Sequence, residues 1–152
     1  MATDNDGVIS TLNNLIETCK DGQNGFQTAS EGVKNSDLKT LFLGFSQQRA
    51  QFAGELQNEV LRLGGDPEKA GSVAATLHRG WINIKSSVTG EDESAVIAEC
   101  ERGEDSAVKN YKDALHQNLP QNIRGVVEQQ YTQVQAAHDR IRSLEKASGA
   151  NS

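Results

Sequence analysis

Helical periodicity over most of the chain is the feature that most constrains this fold. The chain has 152 residues and only two prolines, Pro67 and Pro120. Between the breaks, apolar residues recur every three to four positions, which is the spacing of one face of an α-helix. The alternation of apolar and polar residues that is typical of strands is missing. We therefore predict an all-α protein with four long helical runs, from Val8 to Val33, Ser36 to Leu63, Val96 to Leu115 and Pro120 to Leu144.

Polar and glycine residues mark the ends of these runs. Asp4 or Asp6 is a candidate N-cap of the first helix, and Ser36 of the second, because short polar side chains accept hydrogen bonds from free N–H groups. Gly64-Gly65 predicts the end of the second helix, since glycine readily takes the left-handed conformation that follows a helix.

The connections between the runs indicate the topology. Tight turns near Asn35-Ser36 and Leu119-Pro120 force antiparallel neighbours. The connection from Gly64 to Glu91 is long enough to return along the bundle, and its apolar spacing predicts a short extra helix. Two antiparallel hairpins joined by one long crossover form the ferritin-like variant of a four-helix bundle.

Composition limits the classes of partner. A single domain over residues 1–147, followed by a flexible polar tail at 148–152, suits the length. The net charge of −6 argues against nucleic acid or anionic lipid, which attract basic surfaces. No apolar stretch reaches the ~20 residues of a membrane span. Two cysteines do not build a disulfide scaffold, so we expect a cytoplasmic protein.

Polar residues interrupt the apolar stripe near the middle of every helix. If the helices run up, down, down and up, most of these residues lie at one height, with Gln130 about one turn lower. We predict a polar layer in the core, in which Glu104 pairs with Arg49 and glutamines complete the hydrogen bonds, because a buried charge requires a partner. The predicted layer contains Gln23, Gln48, Arg49, Glu104 and Gln130.

A di-metal site is the alternative use of such a layer. It requires a Glu from each of two helices and Glu-x-x-His from the other two. The second and fourth helices instead carry Gln48-x-x-Gln51 and Gln130-x-x-Gln133. We therefore expect no metal, no other cofactor and no catalytic residues. A divergent metal-binding redox bundle holding iron or manganese is the alternative, with Glu104, Gln48, Gln130 and His138 as its candidate ligands.

The histidines do not form a ligand pattern. His138 lies beside the apolar stripe and precedes Asp139, but it has no second histidine three or four residues away, so we interpret it as a boundary residue. His78 and His116 have no ligand at a useful spacing. The acidic stretch that ends at Asp105 is interpreted as a solvated face that begins near a helix N-terminus.

Cysteine and tryptophan have structural interpretations. Cys19 and Cys100 lie on apolar faces about two turns apart in height, which is too far for a disulfide. Buried cysteine usually packs as a small apolar residue. Trp81, the only tryptophan, is expected to fix the crossover to the bundle, and an interface anchor is the competing interpretation.

Several segments together resemble a bacterial family of uncharacterised four-helix-bundle proteins, a domain of unknown function in the ferritin-like superfamily. The resemblance implies a ferritin-like bundle and a cytoplasmic bacterial protein related to stress, with no established activity. Because both Glu-x-x-His motifs are missing, it does not extend to ferroxidase chemistry. The matching segments are Gln48–Gln57, Leu63-Gly64-Gly65 with Pro67, His78–Trp81, Glu101–Tyr111 and His138–Arg142.

The functional hypothesis is a non-enzymatic bundle that acts through protein–protein contacts, either by self-association as a dimer or with another protein. The metal-binding redox bundle is the second hypothesis. A small-molecule binder is a third and weaker one, since the core of a bundle can hold a ligand.

Overall fold

The computed structural model describes residues 2–67, 81, 83–90 and 92–150, and the prediction of an all-α protein is confirmed for them. Four long helices and one short helix account for nearly all of these residues. The helices are α1 (Ala2–Glu31), α2 (Ser36–Arg62), α3 (Ile84–Thr89), α4 (Glu93–Leu115) and α5 (Gln121–Ala150).

The N-terminal ends of the first two helices differ from the prediction. Asp4 and Asp6 are not caps, because α1 already begins at Ala2. In α2 the cap is Asn35 rather than Ser36. The Asn35 side chain accepts hydrogen bonds from the main-chain N–H groups of Asp37 at 2.8 Å and Leu38 at 3.1 Å. Ser36 is the first helical residue.

Glycine ends α2 as predicted. Gly64 has a φ of +81°, which is the left-handed region that an L side chain rarely adopts. The N–H of Gly65 then bonds back to the carbonyl of Val60 at 2.9 Å. Asp66-Pro67-Glu68 is the pattern of a helix entry. Pro67 lies in a turn, and residues 68–80, which include Glu68 and His78, are outside the described part of the chain.

The four long helices form two antiparallel hairpins, α1 with α2 and α4 with α5. Hydrogen bonds join the two hairpins at the end of the bundle where α1 turns into α2. There the Glu93 carboxylate accepts from the main-chain N–H groups of Lys34 at 2.9 Å and Asn35 at 3.2 Å. Farther from that end of the bundle, Cys19 of α1 contacts Tyr111 of α4. Because rising numbers in α1 meet falling numbers in α4, these helices are also antiparallel.

The apolar core consists of two clusters with polar residues between them. One cluster lies toward the α4–α5 turn and includes Leu12, Ile16, Leu56, Val127 and Val134. The other lies toward the α1–α2 turn and includes Phe26, Phe42, Val96, Cys100 and Ile141. Arg49 and Glu104, which are almost fully buried, lie between the two clusters near mid-height.

The last helix reaches Ala150, three residues into the segment predicted as a tail. Residues 151 and 152 lie outside the described part of the chain. None of the described helices combines the length and the apolar composition that crossing a membrane requires.

Candidate functional site

A salt bridge between Arg49 and Glu104 occupies the centre of the bundle. The two guanidinium nitrogens of Arg49 donate to the two carboxylate oxygens of Glu104, each at 2.6 Å. The side chains are only 1% and 0% exposed. This bidentate geometry places two parallel bonds between a planar fork and a carboxylate, which is the strongest form of such a pair. The pair joins α2 to α4 across the core.

The surroundings of Arg49 favour its charged form. Its guanidinium carbon lies 5.5 Å from the centroid of the Phe26 ring, within cation–π range. Burial lowers the pKa of Arg49, but the attraction of the Glu104 carboxylate outweighs this effect and leaves the pKa raised. A Cβ at Gly22 would lie 3.2 Å from Nη1 of Arg49, so a small residue at that position leaves room for the guanidinium.

A second group of polar side chains lies nearer to the α4–α5 turn than the salt bridge does. The polar residues therefore form two groups and not the single layer that was predicted. Tyr111 donates its hydroxyl hydrogen to Oε1 of Gln130 at 2.8 Å. The amide nitrogen of Gln130 donates to the Glu55 carboxylate at 2.8 Å and to the carbonyl of Phe52 at 3.3 Å. Since Tyr111 has one hydrogen, its oxygen accepts from the thiol of Cys19, 3.1 Å away. Gln130 thus belongs to this group, and its hydrogen bonds go to Tyr111, Glu55 and Phe52 rather than to the salt bridge.

The remaining predicted members of the layer lie at its margin. Gln48 is half-buried, and it bridges α2 to α5 by donating to Gln133 at 3.2 Å. Its own oxygen lies 3.4 Å from Nε of Arg49. The side chain of Gln23 is half-buried, and this residue contributes its main-chain carbonyl, which accepts from the Ser46 hydroxyl at 2.8 Å.

The core polar residues do not fit a di-metal centre. Both oxygens of Glu104 are held by Arg49, whose fixed positive charge would repel a cation at that position. Glu55, the carboxylate of the second group, is held by the Gln130 amide. Neither group as described contains an imidazole. The four candidates divide among three places: Glu104 and Gln48 both contact Arg49, Gln130 bonds to Tyr111 and Glu55, and His138 contacts Asp105.

His138 instead belongs to a cluster on the flank of the bundle, between α4 and α5. Its Nε2 lies 2.6 Å from an oxygen of Asp105, and its Nδ1 lies 3.3 Å from an oxygen of Asp139. One ligand atom each from Glu101, Asp105 and His138 all lie within 4.8 Å of one another. Glu101 and Asp105 are four residues apart in α4 and so point to the same side of the helix.

Electrostatic effects in this flank cluster oppose one another. Burial lowers the pKa of His138, but hydrogen bonds to Asp105 and Asp139 outweigh burial and leave the pKa raised. The same contact with His138 lowers the pKa of Asp139. A hydrogen bond between the carboxyl groups of Glu101 and Glu145, together with burial, raises the pKa of Glu101 to about 7.

The sequence prediction missed the flank cluster and three members of the second core group, Cys19, Glu55 and Tyr111. From the sequence, Cys19 is interpreted as an apolar position and Asp105 as part of a solvated face. The available signal for the flank cluster was the four-residue spacing of Glu101 and Asp105. Their contact with His138 depends on how α4 and α5 align along their length, and local periodicity does not specify that alignment.

Trp81 packs into the bundle, as expected of a residue that fixes the crossover, and its competing interpretation as an interface anchor stays a prediction. Its indole lies in a slot between Gly25 of α1 and Gly103 of α4, where a Cβ at either glycine would overlap the ring. The Phe26 ring meets it edge-on, with centroids 5.0 Å apart at an angle of 70°. The two glycines leave the space that this half-buried side chain fills, so it anchors the connection before α3 to the bundle.

The cysteines are not activated nucleophiles. Both are free and buried. Burial raises the pKa of Cys19 to about 11, although its hydrogen bond with Tyr111 partly opposes this rise. Burial also raises the pKa of Cys100 well above its ordinary value. Since the thiolate is the reactive form, neither position favours redox or covalent chemistry near neutral pH.

Comparisons with known proteins agree with this architecture. A solved structure from Anabaena variabilis, a two-domain protein containing dj-1/thij/pfpi-like and ferritin-like domains, superimposes with a TM-score of 0.76 and 15% sequence identity. The match covers 94% of this chain and 40% of that one, so this chain spans about two fifths of its length. At this identity the likeness shows the ferritin-like fold alone. No curated protein sequence matches the chain.

A family model matches residues 7–117, from the start of α1 to just beyond α4. The match therefore covers most of the chain, including Arg49 and Glu104 of the core and Glu101 and Asp105 of the flank. The chain belongs to the family described as Domain of unknown function (DUF2383), and its fold is the ferritin-like helical bundle.

Proposed function

We propose that this protein is a non-enzymatic ferritin-like bundle that acts through protein–protein contacts in the cytoplasm. The principal partner in this proposal is a second copy of the same chain. The observation that carries the proposal is the Arg49–Glu104 pair at the centre of the bundle, where the di-metal relatives of this architecture place their ligands. Because Arg49 and Glu104 neutralise each other's charge and occupy each other's hydrogen-bonding groups, the core pair supports a structural role for the bundle.

The second core group supports the same conclusion. The thiol of Cys19, the hydroxyl of Tyr111 and the amide of Gln130 bond to one another. Groups that satisfy one another in this way fix the relative heights of the helices and leave few donors for a substrate. Because the side chains of these two central groups bond to one another, we infer that the exposed faces of the helices are where this protein meets other molecules.

An uncharged stripe on α2 is the face best suited to a second copy. Leu43 and Leu61 are its ends, 42% and 58% exposed, and they lie five helical turns apart on the same side of α2. Between them the same side carries only uncharged residues: Gln47 is exposed, and Ala50, Gly54 and Gln57 are half-buried.

Charge favours this face for self-association. Two copies that each carry a net charge of −6 repel one another, so a stable contact requires a surface that brings no further negative charge together. Small side chains at Ala50 and Gly54 allow another helix to approach closely, and the exposed leucines supply apolar surface to bury. The α2 helix of a second copy carries the same residues, and a two-fold symmetric interface requires that both surfaces be the same.

The Anabaena variabilis protein gives independent support for action through contacts. There a ferritin-like domain is part of a chain that also contains a dj-1/thij/pfpi-like domain. A bundle of this shape can therefore operate beside another folded unit. By analogy, we infer that other proteins are further partners of this chain.

The test is the mass of the particle in solution, measured by sedimentation across a hundredfold range of protein concentration. We expect a concentration-dependent dimer in the wild-type protein and a monomer in Gly54→Glu. A Cβ at Gly54 meets nothing within 4 Å, so this substitution adds charge to the stripe without disturbing the core.

The matched control is Gly125→Glu in α5. This glycine is exposed, and its Cβ would likewise meet nothing within 4 Å, so the variant should dimerise like the wild type. A wild-type protein that stays monomeric at every concentration, or a Gly54→Glu variant that still dimerises, would overturn the self-association proposal.

The family resemblance extends the proposal to a role under stress. We expect a strain without this protein to survive prolonged stationary phase less well, and a copy with Gly54→Glu to restore survival less than the wild-type copy does. Equal survival of the deletion strain and its parent would remove this part of the proposal.

A further inference from the structure

We propose that Glu101, Asp105 and His138 bind one divalent transition-metal cation on the flank of the bundle, between α4 and α5. The site is separate from the core pair and does not depend on self-association. Its ligand atoms are one imidazole nitrogen and two carboxylate oxygens, which already lie within 4.8 Å of one another. Ligand atoms around a bound cation lie about 3 to 4 Å apart at bond lengths near 2.1 Å, so small side-chain movements complete the geometry.

The ring of His138 is already oriented as a metal-binding imidazole is. Asp139 lies 3.3 Å from Nδ1 and accepts the hydrogen of this nitrogen, while Nε2 lies 2.6 Å from Asp105 and donates its own hydrogen to that carboxylate. A bound cation replaces this second hydrogen, and Nε2 then offers its lone pair to the metal. A carboxylate behind the ligating histidine is the arrangement that holds the ring and raises its basicity in metal sites. The ring is largely buried, with the side chain 11% exposed.

Carboxylates outnumber the imidazole on this flank. Three of them, those of Glu101, Asp105 and Asp139, lie around the single ring of His138. A divalent cation among them balances negative charge that the one imidazole does not.

The types of ligand select the class of metal. An imidazole nitrogen favours Zn²⁺, Fe²⁺ and neighbouring transition metals over Mg²⁺ and Ca²⁺, which prefer oxygen alone. Asp105 is 63% exposed, so water can fill the remaining coordination positions. The core pair cannot play this part, because the guanidinium of Arg49 has no lone pair to offer a metal.

Calorimetric titration of the full chain with Zn²⁺ at neutral pH tests the proposal. We expect one Zn²⁺ per chain, little competition from a large excess of Mg²⁺, and binding at least tenfold weaker in Asp105→Asn and in His138→Gln. We expect Asp139→Asn to weaken binding about tenfold through its effect on the ring. His116→Gln, which changes an exposed histidine at the end of α4, is the matched control and should bind like the wild type.

Asp105→Asn keeps the test decisive if His138→Gln fails to fold, because Asp105 is largely exposed and its amide is the same size. Zn²⁺ binding unchanged in Asp105→Asn would overturn the proposal, as would equal binding of Mg²⁺ and Zn²⁺. Loss of binding in His116→Gln would assign the metal to a different position and overturn it as well.

Discussion

Glu104 and Asp105 are neighbours in α4, and each contacts a basic side chain on another helix, but their environments are opposite. Glu104 is 0% exposed and bonded through both oxygens to Arg49, whereas Asp105 is 63% exposed and bonded through one oxygen to His138. One residue along an α-helix is a rotation of about 100°, enough to turn one carboxylate into the core and the next toward the flank. The Glu104 carboxylate therefore stabilises the fold, whereas the Asp105 carboxylate keeps an oxygen that is available to a cation.

The basic partners of these two carboxylates, Arg49 and His138, also differ in their chemistry. Arginine stays charged, has no lone pair and matches a carboxylate with a rigid fork, so the core pair is closed to other ligands. Histidine can give up its proton and offer a nitrogen lone pair. The core pair is thus neutral in total, and the flank cluster has an excess of carboxylates around one imidazole.

The largest expected effect is the loss of the core carboxylate. Glu104→Ala leaves the Arg49 charge buried without a partner, and we expect the free energy of unfolding to fall by about 3–5 kcal/mol. Urea denaturation measures it. The double variant Arg49→Met/Glu104→Leu removes both charges and should recover most of that loss, because an apolar pair of similar size needs no compensation. A small loss in Glu104→Ala would mean that water reaches Arg49 and that the pair is not closed.

A smaller effect is expected at Gly103, which directly precedes Glu104 and faces Trp81. Gly103→Ala places a methyl group where the indole lies, and we expect a loss of about 1–3 kcal/mol from overpacking. Gly125→Ala in α5 is the control: it adds a methyl group in open space and should stabilise by up to about 1 kcal/mol through helix propensity. Thermal denaturation compares the two. Equal shifts in the same direction would show that the slot for Trp81 does not hold α1 and α4.

The smallest effect on stability is expected at the flank. In metal-free buffer, Asp105→Asn should change the free energy of unfolding by less than about 1 kcal/mol, because the Asp105 carboxylate is 63% exposed and water screens its attraction to His138. The same denaturation assay used for Glu104→Ala gives the comparison. A loss as large as that of Glu104→Ala would mean that the flank pair stabilises the fold, and the contrast between adjacent carboxylates would disappear.

The helical architecture follows from local signals, which explains why it was predictable. Apolar spacing placed the four long helices, and the glycines at the end of α2 behaved as expected. The N-cap was misplaced by one residue because Asn35 and Ser36 are both good caps, and only the main-chain conformation decides between them. Gly25 and Gly103 were visible in the sequence as glycines within helices, but their common contact with Trp81 appears only when α1 and α4 are brought together.

The polar contacts were predicted only in part, for a related reason. Arg49 and Glu104 interrupt apolar stripes at similar heights, and a buried charge needs an opposite one, so their pairing could be inferred. Tyr111 and Cys19 have largely apolar side chains with one polar atom, and periodicity alone does not distinguish a packed ring from a hydrogen-bonded one. His138 and Asp105 are on separate helices whose relative alignment is fixed by side-chain packing along the whole interface.

Metal content of the purified protein tests the contrast between core and flank most directly. After exposure to Zn²⁺ and removal of the excess, elemental analysis should find one zinc per chain in the wild type and in Arg49→Met/Glu104→Leu, and far less in Asp105→Asn. Retention of zinc in the core variant with its loss in Asp105→Asn is the predicted result. Loss of zinc in the core variant, or its retention in Asp105→Asn, would contradict the assignment of structure to the core and cation binding to the flank.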